Sequence, residues 1–255
     1  MPARIVAVTS LALEARIALG PGVAVICSPG RQLAADLASA VARGVSGIIS
    51  FGIAGGLAHG LRAGDWIVAA AIRTGQQVFP TDRAWTRSLL ERLPAAKHTD
   101  ILGVDAPVAE PSDKRALYSQ TGAAAVDTES HIAARIAAEG QVPFAACRVV
   151  IDAVDMRLPP AAMVGLRPDG TADVAAVFRS VLKQPGQIAD LVRTALDARV
   201  ARSALYAGRQ MLGAGLGFPQ FDHRTDAVRD ATHGRRPTRS SGISRAVKAP
   251  PLRRS

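Results

Sequence analysis

Apolar runs that close in small polar residues alternate along the chain with amphipathic stretches. Arg4–Ser10 (RIVAVTS) and Gly22–Ser28 (GVAVICS) are rich in β-branched residues and predict the first two strands, with a brief helical turn or loop over LALEARIALG between them. Leu33, Leu37, Ala40 and Val41 fall on one stripe of GRQLAADLASAVARG, and Gly44 closes it, so this stretch predicts a helix. VSGIISFG and DWIVAAAI predict strands, the helix TDRAWTRSLLERLP is expected to be capped by Thr81, and HTDILGVDAPV predicts a further strand. DKRALYSQTG predicts a short helix. AAAVDTES and VPFAACRVVIDAVD predict strands that end in acids, separated by the helix HIAARIAAEG. Past a Pro- and Gly-rich excursion, MRLPPAAMVGLRPDG, two helices over ADVAAVFRSVLKQ and GQIADLVRTALDARVARSALYAG close the domain. Nearly continuous apolar strands alternating with helices predict an α/β fold whose mainly parallel sheet is covered on both faces.

SFGIAGGLAHGLRAGD interrupts this pattern. Glycines at 52, 55, 56 and 60 forfeit side-chain burial and backbone order, so some other group must approach the backbone there. Neither GxGxxG nor GxxxxGK[ST] is present, which removes the usual nucleotide-loop readings. A platform for a flat base or ribose and a tight turn for close packing both remain open.

Composition narrows the classes. The formal charge is +10, but nine of the 31 Lys and Arg lie from Arg224 onward, and the stretch after Gly234 has no acid. Domain boundaries are expected at residues 1–220 for a catalytic domain and 221–255 for a basic, disordered tail. With 4% aromatic residues and no basic–aromatic interleaving, no nucleic-acid surface is expected. Cys27 and Cys147 sit singly in apolar runs and read as reduced structural thiols. No segment approaches 18 continuous apolar residues and the start lacks signal-peptide character, so a cytoplasmic protein is expected.

Ligands in open parallel sheets bind beyond the carboxyl ends of strands. That rule selects Glu14 after the first strand, the Gly52–Gly56 segment after the third, Asp127 and Glu129, then Asp152 and Asp155. Such acids can hold sugar hydroxyls, protonate a leaving group and activate water. Glu129 is equally readable as a helix-terminal charge. Asp152 follows an apolar strand, where desolvation would favour its protonated form. His131 is either a cleft residue or a helix cap, and Arg135 and Glu139 form a surface pair at helical spacing. The five histidines show no metal-ligand spacing, and no metal or other cofactor is expected. Ser28 lacks the nucleophile elbow of serine hydrolases.

The combination FGIAGGLAHGLRAGD and AVDTESHIAARIAAEGQVPFAACRVVIDAVD resembles the nucleoside phosphorylase and nucleosidase superfamily. LPPAAMVGLRPDG and DVAAVFRSVLKQPGQ make the body most similar to its hopanoid-associated branch, the adenosylhopane nucleosidases or phosphorylases. The resemblance implies a single-domain, three-layer fold with a mixed, twisted central sheet, a homodimer, and cleavage of an N-ribosidic bond. It assigns the ribose hydroxyls to Glu129, protonation of the departing purine at N7 to Asp152, and water activation to Glu14. Gly52, Ile53, Ala54, Gly55 and Gly56 would floor the base and sugar pocket. Thr128 replaces the ribose-binding methionine of the family, and Ser50 and Ile53 stand where phosphorylases often carry phosphate-binding Arg and Ser. Arg31 is then the candidate contact for inorganic phosphate as co-substrate. With adenosylhopane as substrate, Pro159, Pro160, Met163, Val164 and Leu166 would line an entrance, and the basic tail could touch a membrane peripherally. A soluble purine nucleoside as substrate and a noncatalytic nucleoside-binding subunit are the alternatives.

Overall fold

The computed structural model describes residues 4–161, 179–180 and 185–219. Its strands are β1 (Ile5–Val8), β2 (Val23–Ile26), β3 (Gly47–Gly56), β4 (Trp66–Thr74), β5 (Gln77–Pro80), β6 (Lys97–Gly103), β7 (Ala125–Asp127) and β8 (Phe144–Asp152). The helices are α1 (Ala12–Ala18), α2 (Gly30–Ala42), α3 (Arg83–Arg92), α4 (Pro111–Thr121), α5 (Ser130–Glu139) and α6 (Ile188–Leu212).

One eight-stranded sheet runs β2-β1-β3-β7-β6-β4-β5, and β8 pairs with both β3 and β4. Strands β3, β7, β6, β4 and β8 therefore close on one another as a small barrel, from which β1 and β2 extend on one side and β5 on the other. The sheet is mixed, as the resemblance implied: five of its eight pairings are parallel, in keeping with the run of apolar strands, while β3 with β7, β4 with β5 and β4 with β8 are antiparallel. Alternation along β1 shows the layering. Val6 and Val8 pack in the cluster that holds Leu33 and Leu37 of α2 and Ala133 and Ile136 of α5. Ile5 and Ala7 face the opposite cluster, with Trp85 and Leu89 of α3 and Leu205 of α6. Trp85 is fully buried, and its indole N–H donates to the Leu216 carbonyl at 2.9 Å, which satisfies the polar end of a large apolar side chain.

Several local expectations change. β5 carries no apolar alternation because it is a mostly exposed edge strand that ends at Pro80. LALEARIALG forms the seven-residue helix α1, tied at its start by Glu14, whose carboxylate accepts from the Leu11 N–H at 2.9 Å. Asp82, not Thr81, caps α3: its carboxylate accepts from the Trp85 N–H at 2.8 Å, while the Thr81 hydroxyl reaches the carbonyls of Ala69 and Ala70. The glycine segment does not follow the third strand but is its second half, since β3 continues to Gly56. The basic tail, most of the helix expected over 172–184, and Met163, Val164 and Leu166 lie outside the described residues.

Candidate active site

Register along β3 brings the site together. β8 runs parallel to β3 with Arg148 opposite Gly52, and a shift after Ala54 sets Asp152 opposite Gly55. β7 runs the other way, with Val126 opposite Gly55, so the chain leaving it through Asp127 returns along β3 toward Gly52. Two charged groupings result, one at Gly52 and one at Gly55. Three residue steps of strand, from Gly52 to Gly55, separate them by about 10 Å.

Arg148 is the centre of the first. Its side chain is fully buried in β8, and its Nη2 donates to the Ser50 hydroxyl at 2.6 Å and to Glu129 Oε2 at 3.2 Å. Nη1 donates to the Ile53 carbonyl at 3.3 Å, and Nε lies 2.8 Å from Asp127 Oδ2, an ion-pair distance without hydrogen-bond alignment. Burial by itself would lower the basicity of the guanidinium, but Asp127, Glu129 and Glu14 raise it above its ordinary range.

Glu14, 1% exposed, has both oxygens engaged. Oε2 accepts from Ser10 N, Ser10 Oγ and Leu11 N, whereas Oε1 accepts from Ile53 N at 2.7 Å and keeps acceptor capacity. This contact and Arg148 explain Gly52. A Cβ there would sit 2.5 Å from Glu14 Oε1 and 2.7 Å from Arg148 Nη1, and φ of +153° is unfavourable for other residues. The glycine is therefore required by the carboxylate and guanidinium that press on the backbone.

Glu129 occupies the N-cap position of α5 without capping it. Its side chain makes no capping bond; Asp127 does so instead, accepting from Ser130 N at 2.9 Å and from the Ser130 hydroxyl. The Glu129 carboxylate turns inward, accepting from Thr128 Oγ1 and Arg148. Thr128 thus supplies a polar contact where the family resemblance implied an apolar one. Burial pushes Glu129 up to about 7, Arg148 and Thr128 pull it down, and Asp127 and Glu14 add to the rise.

That shift has a definite sign. From pH 4.5 to about 7 the folded chain holds a proton on Glu129 that the unfolded chain has released. Its contribution to stability is fully present below 4.5 and is lost as pH rises through about 7. Glu129→Gln is expected to flatten this slope, by an amount on the order of a few kcal/mol between pH 5 and pH 8. Urea unfolding of both proteins at the two pH values checks it, and parallel slopes would show that Glu129 does not carry the proton.

Asp152 forms the second grouping with Lys114 of α4. Both are buried, 2% and 0% exposed, and Lys114 Nζ donates to Asp152 Oδ2. Burial raises the Asp152 carboxyl and Lys114 opposes the rise. Oδ1 lies 3.5 Å from the position of a Cβ on Gly55. The Gly55 and Gly56 backbone thus sits against Asp152, while Ile53 and Ala54 lie on the strand between the two groupings.

The remaining candidates lie apart. Arg31 is exposed at the start of α2, with no described hydrogen bond or ion pair to the acid cluster. Ser28 donates to Asp36 at 2.6 Å and has no histidine partner. His131 does not cap α5; it packs on Gly103 and its Nε2 lies 3.2 Å from Asp105. Arg135 and Glu139 form the expected exposed pair at 3.2 Å. Cys147 is buried, which pushes its thiol up to about 12, and Cys27 is half-buried. Among the described residues no group of three His, Cys, Asp or Glu could hold a metal, and no helix is long and apolar enough to cross a membrane.

Sequence reasoning missed Arg148 and Lys114. Arg148 had a signal, an arginine inside an otherwise apolar run, FAACRVVI, where both sheet faces are covered. Lys114 had none, because lysine in a polar helix is ordinarily solvated.

Solved structures share this architecture. A Helicobacter pylori 5'-methylthioadenosine/S-adenosyl homocysteine nucleosidase superposes with a TM-score of 0.60 at 15% identity, covering 82% of this chain and 96% of its own. The futalosine hydrolase of Helicobacter pylori gives 0.55 at 16% identity, covering 71% and 98%. A 5'-methylthioadenosine/S-adenosylhomocysteine nucleosidase from Neisseria meningitidis gives 0.57 at 15%, covering 81% and 97%. No curated protein matches the chain. Residues 20–190, more than half of the sequence and including every charged group of the two clusters except Glu14, match the phosphorylase superfamily, and the chain belongs to that superfamily.

Proposed function

We propose that the protein cleaves the N-ribosidic bond of a soluble purine nucleoside with water as the nucleophile. The observation that carries this reading is the spacing of the two groupings along β3: carboxylates suited to ribose hydroxyls and water at Gly52, and a buried carboxyl suited to a purine nitrogen at Gly55. Similar solved structures include nucleosidases and a hydrolase, which agrees with it.

In this mechanism Glu129 accepts hydrogen bonds from the 2′- and 3′-hydroxyls, and Thr128 and Arg148, the latter itself paired with Asp127, hold it in place. The C1′–N9 bond breaks with its electron pair moving into the purine, and the Asp152 proton passes from Oδ1 to N7. Water forms the new bond to C1′ and gives its proton to Glu14 Oε1, the carboxylate oxygen with acceptor capacity to spare. Gly52–Gly56 floors the pocket with backbone, since a Cβ at any of its three glycines would meet Glu14, Arg148 or Asp152.

Water is favoured over phosphate by charge. The one buried cation of the ribose grouping, Arg148, faces three carboxylates, so an entering dianion meets net negative charge. Arg31 stands exposed and outside that network. Incubation with 5′-methylthioadenosine, adenosine and adenosylhopane, with and without phosphate, tests the reading by product mass. Adenine with the free ribose product at equal rates in both conditions is expected. A phosphate-dependent ribose 1-phosphate product would establish phosphorolysis, and turnover of adenosylhopane alone would restore the hopanoid substrate. Binding without adenine release would leave a noncatalytic nucleoside-binding protein. The family resemblance of the sequence implies a homodimer, which light scattering measures, and vesicle sedimentation tests peripheral membrane contact.

A further inference from the structure

Lys114 is the only buried side chain that the helix α4 contributes. A fully buried lysine is costly unless its charge is paired and its protons are bonded. Here Nζ reaches three acceptors: Asp152 Oδ2, the Ala153 carbonyl at 3.2 Å and the Met156 carbonyl at 2.9 Å. Three acceptors match the three donors of an ammonium and exceed the two of a neutral amine. Both carbonyls belong to the turn that follows β8, so the ammonium fastens that turn to the end of the strand. Asp152 Oδ1 has no hydrogen-bond partner among the described residues and faces the space over Gly55 that any side chain would occupy.

We propose that Lys114 is a positioning residue for the leaving-group acid. Its ammonium anchors Oδ2, presents Oδ1 to the base, and stabilises the carboxylate that remains after the proton has gone to N7. This rests on the reading of Asp152 as that acid. A buried carboxyl left without a countercharge would keep its proton too firmly to release it; the ion pair makes the donated state accessible.

The other charges around the pair are few. Asp197 of α6 acts on Asp152 as a like charge and raises its carboxyl further. Asp155, on the turn after β8, is paired with Arg115 at 2.9 Å and lies 4.0 Å from His59. Glu110, which precedes α4, is paired with Arg157 at 2.7 Å. β3 contributes only glycine backbone at this point. Lys114 is thus the cation that bears directly on Asp152, and removing it moves the carboxyl's titration to higher pH.

The test compares wild type with Lys114→Gln and Lys114→Arg. In the unliganded proteins, the Asp152 carboxyl is titrated by carbon-13 NMR, with Asp152→Asn identifying the resonance. Turnover is measured against pH with a purine nucleoside and with p-nitrophenyl riboside, whose leaving group departs without a proton. For Lys114→Gln the carboxyl is expected to titrate at higher pH, and kcat on the purine substrate to fall about 10- to 100-fold, the worth of one charge-assisted hydrogen bond. Its alkaline limb should shift upward. The p-nitrophenyl substrate should turn over at the wild-type rate, and Lys114→Arg should recover part of the purine rate. An unchanged titration, or equal slowing on both substrates, would overturn the proposal in favour of a purely architectural lysine. If wild type releases no base from any nucleoside while the titration still moves, the proposed reaction fails and the hold of Lys114 on Asp152 stands. Should Lys114→Gln not fold, Lys114→Met carries the same comparison with the stem's apolar volume kept.

Discussion

Replacing Arg148 with methionine is expected to lower the unfolding free energy by about 3–5 kcal/mol near pH 8, because it leaves buried carboxylates without their cation. Methionine keeps most of the apolar stem, so the loss reports charge more than cavity. Asp127 and Glu129 are paired directly with the guanidinium, and Glu14 lies within its field. The loss should shrink toward pH 5, where Glu129, already pushed up to about 7, takes a proton and no longer needs a counterion. Urea unfolding at both pH values measures it. A second substitution, Arg148→Met with Glu129→Gln, should return part of the stability at pH 8. Equal losses at both pH values would mean that Arg148 acts through packing alone.

The second large effect is expected at Asp152. Asparagine preserves its shape but has no carboxyl proton to give, and turnover of a purine nucleoside should fall about 10²–10⁴-fold with ligand affinity largely kept. The same change strands Lys114, fully buried, with a neutral partner. A stability loss of about 3–5 kcal/mol should accompany the kinetic one. The two effects separate in Asp152→Asn combined with Lys114→Gln, which should regain stability without regaining rate. Single-turnover base release, ligand affinity and urea unfolding on the same preparations distinguish them. Wild-type release rates in a folded Asp152→Asn protein would remove the acid role.

The distribution of what could be read follows from the range of each interaction. Helix α2 was legible because Leu33, Leu37 and Ala40 recur at helical spacing and all become buried. β1 and β8 were legible because covered strands are continuously apolar. Edge strand β5 was not, since an exposed strand needs no apolar side chain. The seven-residue helix α1 was only half legible, because its start is fixed by Glu14, whose carboxylate also answers to Ile53 in β3.

The acids of the site could be picked out one by one because each follows the carboxyl end of an apolar strand, and the demand for close approach at the glycines could be inferred from their lack of side chains. What approaches them could not. Glu14 and Arg148 meet at Gly52 from positions 38 residues before and 96 residues after it, and Lys114 and Asp152 are 38 apart. Such contacts depend on strand register and barrel closure, which join β8 to both β3 and β4. The α/β layering, the covered strands and the candidate carboxylates follow from local periodicity and burial, and are therefore written along the chain. That Asp127 caps α5 and frees Glu129 to face Arg148, and that a lysine from a polar helix supplies the charge beside Asp152, depends on the folded molecule, because the cost of burying a charge is settled by partners distant in the chain.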